Sequence, residues 1–155
     1  MIAEQVAKVL EGAGVEFESL AHERTETAGD EARTLGIAPD AVAKTVVLAT
    51  PEGHVRAVLL ASERLDLHKV RTILSLTAKE VGLLGEKELA QHYPEFELGA
   101  VPPFGGRADR VLVDRRVVDH EHVVLEAGTH DTSLRLRTTD LLALTAAQVL
   151  DLCQD

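Results

Sequence analysis

The sequence predicts one mixed α/β domain over residues 1–155, built on a largely antiparallel sheet. Three observations predict it. Helix-period and strand-period segments alternate along the chain; most strands come in adjacent runs; and neither an internal repeat nor a low-complexity linker divides the sequence. A chain of 155 residues buries roughly 70% of the surface its unfolded form exposes, enough for a single core. Aromatics make up only 3% of the residues and Trp is absent, so Val, Leu, Ile and Ala must fill that core.

Ile2, Val6, Val9 and Leu10 recur at helical spacing, with Gly12 and Gly14 as a stop, which predicts an amphipathic helix over 2–12. Charges at Glu4, Lys8 and Glu11 argue against both a secretory segment and a membrane span there. VEFESLAH (15–22) is a first short strand. Thr27 can cap a helix in which Ala28, Ala32 and Leu35 share a face and which Gly36 ends. After a connection over 37–40, AVAKTVVLAT (41–50) and VRAVLLAS (55–62) form a buried hairpin around Pro51-Glu52-Gly53.

Asp66 can cap a helix through LHKVRTILS. Thr77 and Glu80 have the spacing of a capping box for a second helix, AKEVGLLG (78–85). A third runs from Glu86 to His92 and closes at Tyr93-Pro94. RVLVD (110–114), HVVLEAG (122–128) and the alternating SLRLR (133–137) are strands. TAAQVLDLC (145–153) is the closing helix.

The net charge of −10 opposes long-range attraction to a polyanion, because Lys and Arg drive nucleic-acid binding by releasing counterions. No DNA-binding or membrane role is expected. Two basic clusters, Arg64, His68, Lys69 and Arg71, and Arg107, Arg110, Arg115 and Arg116, read equally as solvated surface or as a local phosphate-binding patch. The lone Cys153 excludes an intrachain disulfide and a paired-cysteine metal site, which points to the cytoplasm. Neither G-x-x-x-x-G-K-[ST] nor G-x-G-x-x-G occurs, and no cofactor is expected. His120 and His122 lack a third ligand, so a solvated turn outweighs a metal site. The adjacent His130 and Asp131 make no triad.

Three features could carry chemistry. Lys44 opens a strand and shares a face with Val46 and Leu48, so it either snorkels to water or awaits an anionic or dipolar ligand. Gly99-Ala100-Val101-Pro102-Pro103-Phe104-Gly105-Gly106 is a stiff, glycine-bounded loop that suits either a ligand wall or an ordinary tight connection. Gly128-Thr129 follows a strand and could offer N–H groups or a hydroxyl, or be a plain turn.

Taken together, Leu20-Ala21-His22, the helix from Thr27 to Leu35, Val42-Ala43-Lys44-Thr45, Asp66-Leu67-His68-Lys69-Val70, the Gly99 to Pro103 loop with its G-x-x-x-P pattern, and Glu126-Ala127-Gly128 resemble the YbaK family of freestanding editing domains, related to the domain inserted in bacterial prolyl-tRNA synthetases. The resemblance runs nearly end to end. It implies a curved mixed sheet flanked by helices and a pocket for the aminoacyl end of tRNA, with a synthetase as a further partner. It also implies a metal-independent deacylase that hydrolyses a mischarged tRNA, with alanyl- or cysteinyl-tRNA for proline as the family expectation. Lys44 would hold the ester or terminal nucleotide, and N–H groups near Gly99, Ala100 and Val101 would meet the developing oxyanion. Leu20, His22, Thr45, Pro102, Pro103, Gly128 and Thr129 would complete the substrate site, and the substrate's own ribose hydroxyl would activate the water. The chain departs from its relatives at Leu20, where several carry an aromatic, and at Val101-Pro102, which is more apolar. The competing reading is a non-catalytic module of the same fold that binds a protein or small ligand.

Overall fold

A computed structural model describes all residues 1–155. Helix α1 (Glu4–Ala13) buries Val6 and Leu10 and ends on left-handed Gly14. Strand β1 (Phe17–Ala21) follows, and then α2 (Ala28–Leu35), where the Thr27 hydroxyl accepts from the Asp30 N–H at 3.1 Å as the sequence leads one to expect. A 3-10 turn at Pro39–Ala41 leads into the hairpin of β2 (Ala43–Thr50) and β3 (Gly53–Leu60), paired from Ala43↔Leu60 to Thr50↔Gly53. Beyond α3 (Leu67–Leu74) come β4 (Gly82–Leu83), α4 (Glu86–His92), β5 (Arg110–Asp114) and a 3-10 turn at Arg115–Asp119. The chain closes with β6 (His122–Glu126), β7 (Thr132–Arg137), α5 (Thr138–Thr145) and β8 (Gln148–Leu150).

The strands form two sheets, β1-β7-β6 and β4-β2-β3-β5-β8, touching through a parallel bridge at Val42↔Val124. All pairings are antiparallel except β3–β5 and β5–β8. The larger sheet is covered on both faces. Ala43, Val47, Val58 and Val113 face the main core with α1, β6 and β7, whereas Leu48, Val55, Ala57 and Leu112 pack beneath α3 and Leu152. Burial on two sides explains why β2 and β3 read as nearly continuous apolar runs.

Two expected helices are not there. Residues 78–85 form a turn and β4: the Glu80 carboxylate does accept from the Thr77 N–H at 2.9 Å, but no helix grows from it. Gly82 and Gly85 weaken a helix here, and the segment instead buries Val81 and pairs Gly82 and Leu83 with Ala49 and Leu48 on the edge of β2. The closing helix lies one element earlier, at α5, and QVL becomes β8, parallel to β5. Leu150 and Leu152 alternate into the second core cluster, a period of two rather than 3.6. The Leu152 N–H donates to buried Asp114 at 2.9 Å, fixing the extended end.

Candidate functional site

Strand β2 has a gap along its outer edge. The bridge to β6 stops at Val42, and β4 begins only at Leu48, so no strand covers residues 43–46 on that side. A cavity of about 50 Å³ fills the gap, walled by Ala28, Ala43, Lys44, Thr45, Gly99, Val101 and Glu126. Successive side chains of a strand point to opposite faces, so three consecutive residues can line one cavity only where it lies against the strand edge. An apolar cavity of about 220 Å³ adjoins it, sharing Thr45, Gly99 and Val101 and adding Val46, Leu84 and Leu89.

Lys44 is half-buried at this edge, on the face of β2 opposite Ala43 and Thr45. Burial lowers its ammonium below the usual lysine range, and the like charge of Arg64 adds to that. The carboxylate closest to its influence, Glu63, is engaged by Arg116 at 3.7 Å. The ammonium therefore lacks a fixed counter-ion.

The opposite wall is the Gly99–Gly106 loop. Gly99 sits at φ +83°, a conformation that favours glycine, with its Cα face toward the His130 ring. The loop is clamped from below by Arg56, a buried arginine in β3 whose role the sequence analysis missed. Its guanidinium donates to the carbonyls of Pro102 (2.9 Å), Gly105 (2.8 Å) and Arg107 (3.0 Å) and to Asp109 (2.9 Å). Tyr93 stacks under it at 5.1 Å and donates its hydroxyl to Asp109 at 2.5 Å. The available signal was an arginine alone in an apolar strand.

Below the cavity lies a buried polar group that the sequence analysis also left unassembled. Glu126, at the end of β6, presents Oε2 without a hydrogen-bond partner, 3.6 Å from His130 Nδ1, which also lacks one. Burial first, then the charges of Glu31, Glu26 and Glu97, push the Glu126 carboxyl up to about 9. His130 Nε2 donates to the Leu98 carbonyl at 2.6 Å, next to Gly99. Beside them the Ser133 hydroxyl donates to Glu31 and lies 2.9 Å from His22 Nε2. Burial raises the Glu31 carboxyl as well.

The residues expected at the site thus divide. Lys44, Thr45, Gly99 and Val101 converge on the cavity. His22 reaches its polar underside through Ser133, and Leu20 packs with Ala28 and Val42 behind it. Ala100 is not available as expected: it is buried and its N–H donates to the Glu97 carbonyl at 3.0 Å, closing the turn that enters the loop; the Pro102 carbonyl is taken by Arg56, and Pro103 lines a separate concavity near Phe104. Gly128 and Thr129 do not reach the cavity. Gly128 packs so tightly on Ala3 and Phe96 that a Cβ would come within 2.6 Å of Ala3, and the Thr129 hydroxyl donates to the Met1 carbonyl at 3.0 Å. They hold the N-terminus to the sheet.

Several solved structures share this architecture. One, described as a candidate trans-editing enzyme for prolyl tRNA synthetase, is 25% identical, matched over 100% of both chains with a TM-score of 0.84. Hypothetical protein APE2540 is 21% identical, with 97% of this chain and 100% of that one covered and a TM-score of 0.88. A candidate signal transduction protein from Marinobacter aquaeolei VT8 is 22% identical with a TM-score of 0.73, covering 97% of this chain and 30% of that longer one. No curated protein matches the chain in sequence. The sequence itself matches the aminoacyl-tRNA editing domain over residues 22–144, a span that contains the gap in β2, the Gly99 loop and Glu126, and the chain belongs to that family.

Proposed function

We propose that this chain is a trans-acting aminoacyl-tRNA deacylase that works in the cytoplasm and hydrolyses the ester of a mischarged tRNA, a tRNA for proline bearing a small amino acid being the first substrate to test. The observation that carries this reading is the convergence of Lys44, Thr45 and the Gly99 loop on one small cavity. An unpaired, half-buried ammonium offers a charge-assisted contact to an ester or phosphate oxygen. The N–H groups of Gly99 and Val101 polarise the carbonyl as it becomes an oxyanion, worth about 10²–10³ in rate per well-aimed donor, while that of Ala100 is spent on the Glu97 carbonyl. In this reading neither a metal nor a protein base is required, because the vicinal ribose hydroxyl of the substrate activates the water. Ala28 and Ala43 on the walls of a cavity of about 50 Å³ favour a small side chain. The description of the 25% identical neighbour supports the choice of a tRNA for proline and makes prolyl-tRNA synthetase the natural protein partner.

The test is single-turnover deacylation of a panel of mischarged tRNAs by wild type and Lys44→Ala, with circular dichroism on both. Hydrolysis of at least one substrate, reduced by about 10²-fold in the variant, is expected. A folded wild type inactive on the whole panel would replace the enzyme by a binding module of the same fold.

A further inference from the structure

Glu126 lines the cavity, its Oε2 lies 3.6 Å from Nδ1 of His130, which is buried behind it, and neither atom has a hydrogen-bond partner. Buried polar atoms are nearly always satisfied, so two neighbouring exceptions at a cavity mark a place where something else binds. The hydrogen bonding of the ring tells what kind of group is missing. A carbonyl only accepts, so His130 Nε2 carries the hydrogen it gives to Leu98, and Nδ1 of the neutral ring presents a lone pair; this tautomer is assigned from the network. Once the carboxyl is ionised, two acceptors therefore stand side by side with no donor between them.

We infer that Glu126 and His130 form a receptor for a primary ammonium, and that its ligand is the α-ammonium of the aminoacyl group. The identification of the ligand rests on the deacylase reading; the receptor rests on the geometry alone. A hydroxyl donates once, whereas an ammonium donates three times and can satisfy both atoms together. The surroundings select a cation. Glu31 from α2, Glu26 from the loop before it and Glu97 from the loop before Gly99 all act on Glu126. Arg24, the nearby cation, is held by Glu97 at 2.7 Å and Glu26 at 3.4 Å, and the Lys44 ammonium is not among the charges acting on Glu126. In the empty cavity the carboxyl keeps its proton; an ammonium takes the proton's place and expels it. The α-ammonium is two bonds from the ester carbonyl carbon, so holding it here brings that carbon to Gly99, whose preceding carbonyl fixes His130. The pair thus positions the substrate and selects for an unmodified amine.

The test uses hydrolysis-resistant 3′-deoxy-3′-(alanylamino)adenosine and its propanoylamino counterpart, which lacks only the amine. Binding is measured by calorimetry near neutral pH in two buffers of different ionisation enthalpy. The amine should bind at least about tenfold tighter, as a hydrogen bond to a charged group predicts, with release of about one proton per site. Glu126→Gln, nearly isosteric, should abolish both the preference and the release. Equal affinity for the two analogues, a preference that survives Glu126→Gln, or no binding of either would overturn the receptor. The ligand-side comparison requires no variant, so misfolding cannot mask the answer. Deacylation of free and N-acetylated aminoacyl-tRNA separates the two proposals. Equal hydrolysis of both overturns the receptor and leaves the deacylase standing; no hydrolysis, with the amine preference intact, does the reverse.

Discussion

Arg56 and Glu126 show how single charged residues organise this site from inside the core. Arg56 holds three carbonyls and Asp109, so truncating it strands several buried acceptors at once. Arg56→Met should cost about 3–5 kcal/mol, the range for breaking a buried ion pair by removing one partner, measured by denaturant unfolding. Arg56→Lys should recover little, because a point charge cannot span the four acceptors that a planar fork reaches. Glu126 leads to a prediction with a definite sign. Its folded-state carboxyl is raised to about 9 from the ordinary 4.5, so between those values the native state binds a proton that the unfolded chain has lost. Stability contributed by this group is therefore present at acid pH and falls as pH rises toward 9, with a slope of at most about 1.4 kcal/mol per pH unit. Glu126→Gln should flatten the stability profile between pH 5 and 9 relative to wild type; parallel profiles would mean the carboxyl is ionised throughout. Neither role was legible in sequence. The sequence puts Arg56 in an apolar strand and Glu126 at a strand end, but their partners lie 46–53 residues away in one case and across a loop in the other.

At the scale of elements, capping chemistry and the β2–β3 hairpin were legible because their determinants are local: Thr27 and Asp66 accept from the N–H groups expected, and both glycine stops are left-handed. The misread elements, 78–85 and 145–153, are both edges of the larger sheet. Their apolar residues fit either period, and the decision falls to a distant strand that needs a partner on its open side, information that no local window holds. The gap on β2 between its bridge to β6 at Val42 and the start of β4 at Leu48 is what makes the site, so one of the non-local choices that defeat sequence reading borders the cavity. The loop across the gap tests this. Gly99→Ala must put a Cβ at φ +83°, at a cost of about 1–2 kcal/mol. A loop clamped by Arg56 cannot relax far, so the deacylation rate should fall by more than the folded fraction does. Loss of activity matched by loss of folded protein would reduce Gly99 to a structural turn.

The whole molecule carries a charge of −10, a poor match for a polyanionic substrate unless the contact is confined to a small footprint. Much of the two basic clusters is already engaged in ion pairs. Lys69 pairs with Asp151 at 3.0 Å and Asp155 at 2.9 Å, Arg116 with Asp114 at 3.3 Å and Asp151 at 3.2 Å, and Arg107 with Asp109 at 3.0 Å. These cations lock the C-terminal strand and the Asp109 loop in place; of the clusters' unpaired arginines, Arg64, Arg71 and Arg110, Arg64 is the one whose charge acts on Lys44 at the cavity, which makes Lys44 and Arg64 the cations placed to meet phosphate there. Each phosphate neutralised on a single strand contributes about −0.7 to the slope of log K against log salt, so a contact limited to the acceptor end predicts a slope of about −1 to −2. Deacylation measured below substrate saturation from 50 to 300 mM salt, roughly the range where such slopes are read, should follow that shallow line, and Arg64→Ala should flatten it by about one phosphate. A slope steeper than about −4 would require a contact with the body of the tRNA, and the paired clusters around Lys69 and Arg116 would then have to open their ion pairs to provide it.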